Sequence, residues 1–109
     1  MATVVPIAEL QLSPTAALFE GGDEINGSIF VTEYDRGQGP DLHFHPYPEA
    51  FVVQAGRAVF TAGDEKLTVE AGHIVVVPAD TTHGFESDSD EKLRIVSFHP
   101  SPRVEQAYL

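Results

Sequence analysis

Four side chains in this sequence combine metal-binding chemistry with a workable spacing: His43, His45, Glu49 and His83. His43 and His45 lie two positions apart in DLHFHPYPEA. In an extended strand, residues i and i+2 face the same side, about 6.6 Å apart. Imidazole–metal bonds measure about 2.0–2.1 Å, so one ion can bridge two rings so placed. Glu49 follows across Pro46 and Pro48. Two prolines force a bend, after which the chain can re-enter with the carboxylate aimed at the same place. His83 follows Pro78 in VVVPADTTHGF and opens another extended segment. Three imidazoles and one carboxylate form a mixed nitrogen and oxygen donor set. It suits one divalent transition metal per chain (Fe, Mn, Ni, Cu or Zn) rather than calcium.

Period-2 alternation then selects the neighbours of that site. If Glu49 points inward, Phe51 and Val53 do so too; if His83 points inward, so does Phe85. These would wall the ion with apolar surface, as a small-molecule site requires. Tyr34 and Arg57 are the polar candidates near its mouth. His73 stands at a hairpin corner and His99 follows the last strand-like segment, so both are expected to be ordinary solvated residues. The acidic run SDSDE at 87–91 is expected to be a solvated loop.

The elements that must position these groups are short. Glycine and proline, 9 and 8 of the 109 residues, cut the chain into strand-sized pieces. Those pieces are β-branched and aromatic: SIFVTEYD at 28–35, AFVV at 50–53, RAVFT at 57–61, LTVE at 67–70, HIVVV at 73–77 and LRIVSF at 93–98. Ala62-Gly63-Asp64 is expected to turn a hairpin. Residues 3–12 are expected to form an N-terminal strand interrupted by Pro6, which confines it to an edge or a bend. The tail at 103–109 is expected to form one turn or an extended arm. No segment carries the apolar spacing of a long helix. The pattern is that of an all-β antiparallel sandwich or barrel.

Size and charge narrow the function classes. A chain of 109 residues is one domain, with room for one core. Its formal net charge of -11 disfavours phosphate backbones and anionic lipid surfaces, so neither nucleic acid nor membrane is an expected partner. The sequence has no cysteine, which excludes disulfides and thiolate metal sites. It shows no signal-peptide pattern and no apolar run of about 18 residues. A cytoplasmic protein is the expectation.

The ligand-type residues and their punctuation resemble the cupins. The first cupin motif sets Gly, His-x-His, Glu and Gly at fixed intervals, and Gly37, His43, His45, Glu49 and Gly56 match it position for position. The second is matched by Gly72, Pro78 and His83, with Asp80 where glycine is usual and Ser87 where asparagine is usual. Neither departure falls on a ligand, and Asp tolerates the left-handed conformation such a turn needs. The resemblance implies a small antiparallel β-barrel, a double-stranded β-helix or jelly roll, over the single domain 1–109. It implies a homodimer built through edge strands, with the N-terminal segment and the tail at 102–109 as candidates. It implies a small-molecule substrate or ligand. The activity expected is oxidation of a small organic molecule with O2, dioxygenase-like. The alternatives are a non-redox isomerase, cyclase or lyase, in which Glu49 leaves the ion to act as catalytic base, and a binding protein without turnover.

Overall fold

Alternation of buried and less buried residues along the central strands β4 (Glu49–Ala55), β5 (Arg57–Ala62) and β9 (Leu93–His99) turns one face of each inward and builds two facing sheets. The computed structural model describes residues 1–108. These contain a 3-10 turn, η1 (Ile7–Leu10), and ten strands: β1 (Ala16–Glu20), β2 (Ser28–Tyr34), β3 (His43–Phe44), β4 (Glu49–Ala55), β5 (Arg57–Ala62), β6 (Glu65–Glu70), β7 (His73–Val77), β8 (His83–Ser87), β9 (Leu93–His99) and β10 (Ala107–Tyr108). One sheet runs β1-β2-β9-β4-β7 and the other β10-β3-β8-β5-β6. Every pairing is antiparallel. This is the all-β jelly-roll architecture expected: apart from the β1–β2 and β5–β6 hairpins, each strand is followed by one in the opposite sheet, so that the chain wraps around a common interior.

The interior is made by the inward rows. Phe51 and Val53 of β4, Ala58 and Phe60 of β5, Val75 and Val77 of β7, Phe85 of β8, and Leu93 and Ile95 of β9 pack together with Tyr34 at the end of β2. Phe60 is fully enclosed, with its ring centroid 5.2 Å from Phe51 and 4.9 Å from Phe85. Burying side chains of this size contributes about 1.5–3 kcal/mol each before conformational entropy is counted.

The turns follow their residues. Ala62 pairs with Glu65, so Gly63 and Asp64 form the hairpin loop, with Gly63 at φ +57°. Gly56 separates β4 from β5 at φ +81°, and a Cβ there would lie 3.0 Å from the Leu93 Cα and the Lys92 carbonyl. Only glycine meets both demands without strain. Asp80 adopts φ +59°, the left-handed conformation expected of it.

Two segments differ from the sequence expectation. Residues 3–12 are not a strand: Pro6 (φ -68°) leads into η1, and only Gln11 makes a bridge, to Ala17. Proline lacks the N–H that a ladder needs, and its fixed φ also suits a tight turn. The edge of that sheet is β1, which the sequence reading passed over. The run at 87–91 is not simply solvated. Ser89 Oγ accepts from the Arg57 N–H at 3.0 Å, and Glu91 Oε1 accepts from the Gly56 N–H at 3.2 Å. The run therefore docks on the β4–β5 corner and satisfies backbone donors that the tight turn leaves without partners.

Candidate metal centre

The strand β3 is two residues long, yet it sets the first of the four ligand-type residues. His43 pairs across the sheet with His83, the first residue of β8, so both rings project from one face with centroids 4.5 Å apart. His45 lies just beyond β3, and its carbonyl accepts the Asp80 N–H at 2.9 Å, which ties this segment to the turn before β8. Pro46 and Pro48 then bend the chain, and β4 begins at Glu49. All four side chains are buried, none more than 6% exposed.

Their orientation is fixed by the backbone. His43 Nδ1–H donates to the Asp41 carbonyl at 2.7 Å, His45 Nδ1–H to the Tyr47 carbonyl at 2.9 Å, and His83 Nδ1–H to the Thr81 carbonyl at 2.7 Å. A ring that spends its proton on Nδ1 presents a lone pair at Nε2. Three such Nε2 atoms meet one carboxylate. Glu49 Oε1 lies 2.8 Å from His45 Nε2 and 3.1 Å from His83 Nε2, and one donor atom from each of the four residues falls within 4.8 Å of the others. Lone pairs facing lone pairs repel unless a cation lies between them. Two donors at right angles around an ion with bonds of about 2.1 Å sit about 3.0 Å apart, which matches the spacings of Glu49 Oε1 from His45 and His83 Nε2. The residues therefore fit a divalent transition metal.

The electrostatics agree. In the metal-free site burial pushes the Glu49 carboxyl upward, but Nε2–H hydrogen bonds from His45, His83 and His99, open where no cation takes the Nε2 lone pairs of His45 and His83, outweigh it and hold the group well below the usual carboxylate range. Glu49 is thus ionised as a ligand must be. Burial, reinforced by the neighbouring rings of His83 and His45, lowers His43 against the opposing Asp41 hydrogen bond. His45 is also opposed by burial, but its contacts with Glu49 and Tyr47 raise it on balance.

Beside this group lies a cavity of about 370 Å³. Its lining includes His43, Glu49, Tyr34, Phe51 and Phe85. Burial pushes the Tyr34 phenol upward against a lowering hydrogen bond from Thr15, so it remains a neutral hydroxyl. Val53 and Arg57 do not line the cavity. Val53 is part of the core, 1% exposed, deeper along β4. Arg57 is turned outward: its Nη2 donates to the Asp88 carbonyl at 2.6 Å and its Nε lies 3.4 Å from the Asp88 carboxylate. The acidic run holds the guanidinium away from the cavity.

Two residues join the site that the sequence did not place there, and one corrects an expectation: His99 is buried, not solvated. His99 is the final residue of β9, 1% exposed, with Nε2 2.9 Å from Glu49 Oε2 and Nδ1 2.7 Å from the Tyr47 hydroxyl. Tyr47, between the two prolines, stacks on His45 at 4.5 Å and accepts the Glu105 N–H at 3.1 Å. Burial raises the Tyr47 phenol, which stays protonated. Extending the inward row of β9 would have found His99. Leu93, Ile95 and Ser97 are all buried, and the next position in that period is 99. His73 is exposed, with Nδ1–H donating to the Glu70 carbonyl, as expected for a corner residue.

Comparison with known proteins places this geometry. The chain superposes on Bacillus subtilis oxalate decarboxylase, a protein studied for its Mn(II) centres, with TM-score 0.84 and 18% identity, over 94% of this chain and 31% of that one. It superposes on recombinant oxalate oxidase in complex with glycolate with TM-score 0.74 and 17% identity, over 89% of this chain and 57% of that one. The chain thus spans from about a third to somewhat over a half of these structures, which share its fold. An uncharacterized protein of Streptomyces coelicolor is 34% identical over 77 residues, 71% of this chain and 73% of that protein. The family model described as Cupin domain matches residues 30–99, from the middle of β2 to the last residue of β9, and so takes in all four ligand-type residues. With that match covering most of its length, the chain belongs to the cupin family.

Proposed function

We propose that this protein is a metal-dependent enzyme that oxidises a small organic molecule with O2, both oxygen atoms ending in product so that no external reductant is needed. The observation that carries this reading is the convergence of three Nε2 lone pairs and one ionised carboxylate oxygen at the wall of a cavity. A bound redox-active ion would supply electron exchange with oxygen and a positive centre for the substrate. The chain's own residues do the rest. Phe51 and Phe85 offer apolar surface to the body of a substrate and exclude water, and Tyr34 offers a neutral hydroxyl.

Charge narrows the substrate. Among the described lining residues there is no lysine or arginine. One divalent ion beside the Glu49 carboxylate, with Asp41 also in the lining, leaves at most a single positive charge to balance, which favours a neutral or singly anionic molecule with an enol, phenol or carboxylate head. A small dianion would have no second cation to meet. The homodimer belongs to the same proposal. The edges β6 and β7 are unpaired, whereas the tail is used within the chain, where β10 pairs with β3.

The test is to load metal-free protein separately with Fe(II), Mn(II), Ni(II), Cu(II) and Zn(II), and to follow oxygen uptake with small diketones, enols and phenols. Oxygen consumption with a redox-active ion and none with zinc is the expected result. Turnover with zinc and no oxygen used would replace the reading with an isomerase or lyase. Tight binding without turnover under any ion would replace it with a binding protein.

A further inference from the structure

The four buried histidines around Glu49 are not equivalent. Three donate Nδ1–H to main-chain carbonyls, at Asp41, Tyr47 and Thr81. His99 has no such carbonyl. Its Nδ1 faces the Tyr47 hydroxyl at 2.7 Å, and its Nε2 faces Glu49 Oε2 at 2.9 Å. The Tyr47 oxygen in turn accepts the Glu105 N–H.

One assignment of protons satisfies every group in that chain. Glu105 N–H donates to the Tyr47 oxygen, Tyr47 O–H donates to His99 Nδ1, and His99 Nε2–H donates to Glu49 Oε2. An imidazolium at His99 would aim a second donor at the Tyr47 oxygen and displace the phenol hydrogen from its acceptor. The proton on His99 therefore sits on the opposite nitrogen from the one used by His43, His45 and His83. A ring so protonated has no lone pair at Nε2 to give an ion.

We propose that His99 is a positioning residue that, as the neutral Nε2–H tautomer held by Tyr47, occupies Oε2 of Glu49 so that the carboxylate offers Oε1 alone to the metal. The inference rests on the metal-centre reading above. It adds that the oxygen selected is the one already facing His45 and His83 Nε2, at 2.8 and 3.1 Å. It assigns Glu49 to holding the ion and not to taking a substrate proton, because such a proton would compete with His99 for Oε2. It also ties the centre to the C-terminal arm, since Tyr47 is held by the Glu105 N–H and Tyr108 lies 5.5 Å, ring to ring, from His43. Partners that orient a ligand in this way typically matter 10- to 100-fold for metal affinity.

The experiment has two readouts on the full chain. Mn(II) affinity is measured by chelator competition for the wild type, His99→Ala and His99→Gln. Long-range 1H–15N correlation spectra of Zn(II)-loaded protein report which ring nitrogens carry protons, with His99→Gln identifying the His99 signals. The expected result is a loss of about 10- to 100-fold for His99→Ala. His99→Gln, whose amide can still donate to Oε2, should recover most of it, and the His99 ring should carry its proton on Nε2. If His99→Ala does not fold, Tyr47→Phe keeps the stacked ring and removes only the hydroxyl. It should weaken Mn(II) several-fold and release His99 into mixed tautomers. Wild-type affinity in His99→Ala, or a His99 ring protonated on Nδ1 or bound to zinc, would overturn the proposal while leaving the metal centre intact. A wild type that takes up neither ion would overturn the metal-centre reading and this inference with it.

Discussion

Replacing His83 by alanine removes one of four donors from a fully buried set and should show most clearly as lost metal-dependent stability. A ligand binding only the folded state stabilises it by RT ln(1 + [L]/Kd), about 4.1 kcal/mol at 1,000 times Kd. Losing a direct ligand should cost at least the upper end of the effect of an orienting partner, about 100-fold. At the same free metal the variant then sits at about 10 times its Kd and retains about 1.4 kcal/mol. For a domain of this length, about 4 °C per kcal/mol converts these to metal-induced Tm rises of about 16 °C in the wild type and 6 °C in His83→Ala. The variant also takes one of three imidazole partners from a buried carboxylate, leaving His45 and His99. That costs about 1–3 kcal/mol with or without metal, so it cancels when each protein is compared with itself. The assay is calorimetric melting at matched free Mn(II), with and without chelator, alongside elemental analysis. An equal metal-induced rise in both proteins would refute the assignment of His83 as a ligand.

Removing metal from the wild type should lower Tm yet leave the β-type circular dichroism, because Phe60, Leu93 and Ile95 form a core that does not depend on the ion; full unfolding on chelation would contradict this. Metal affinity should fall with pH, because a protonated ring cannot coordinate. The raised pKa of His45 starts that competition above the ordinary value near 6.5, whereas the lowered pKa of His43 delays its part. In metal-free protein the raised His45 contributes stability that is present below about 6.5 and lost as pH rises through its folded pKa; the depressed Glu49 contributes stability present above about 4.3 and lost as pH falls towards its folded pKa. Chelator competition and denaturant melts across pH 4–9 check both signs. Phe60→Ala should destabilise the fold by about 3–5 kcal/mol and loosen the cavity wall at Phe51 and Phe85, read from urea midpoints. Arg57→Ala should leave Mn(II) affinity unchanged, because its guanidinium is bonded to Asp88 and away from the centre.

Period-2 alternation is a local property, so the sequence alone determined most strands, the inward rows through Phe51, Val53 and Phe85, and the strand-facing pair His43 and His45. Spacing across the prolines and glycines likewise marked Glu49 and His83. Their meeting at one point needed the tertiary structure, because the His43–His83 pairing joins residues forty positions apart through a two-residue strand. Where the sequence reading went astray, the decision lay in contacts between distant segments. Residues 3–12 follow the demand of Pro6 for a turn and yield the sheet edge to β1. Arg57 is drawn from the mouth by Asp88, thirty-one positions away. His99 looked like a solvated residue because its chemistry comes entirely from Glu49 and Tyr47, each about fifty residues earlier in the chain. A side chain's tautomer and partner are set by what the fold brings within about 3 Å, and no local pattern encodes that.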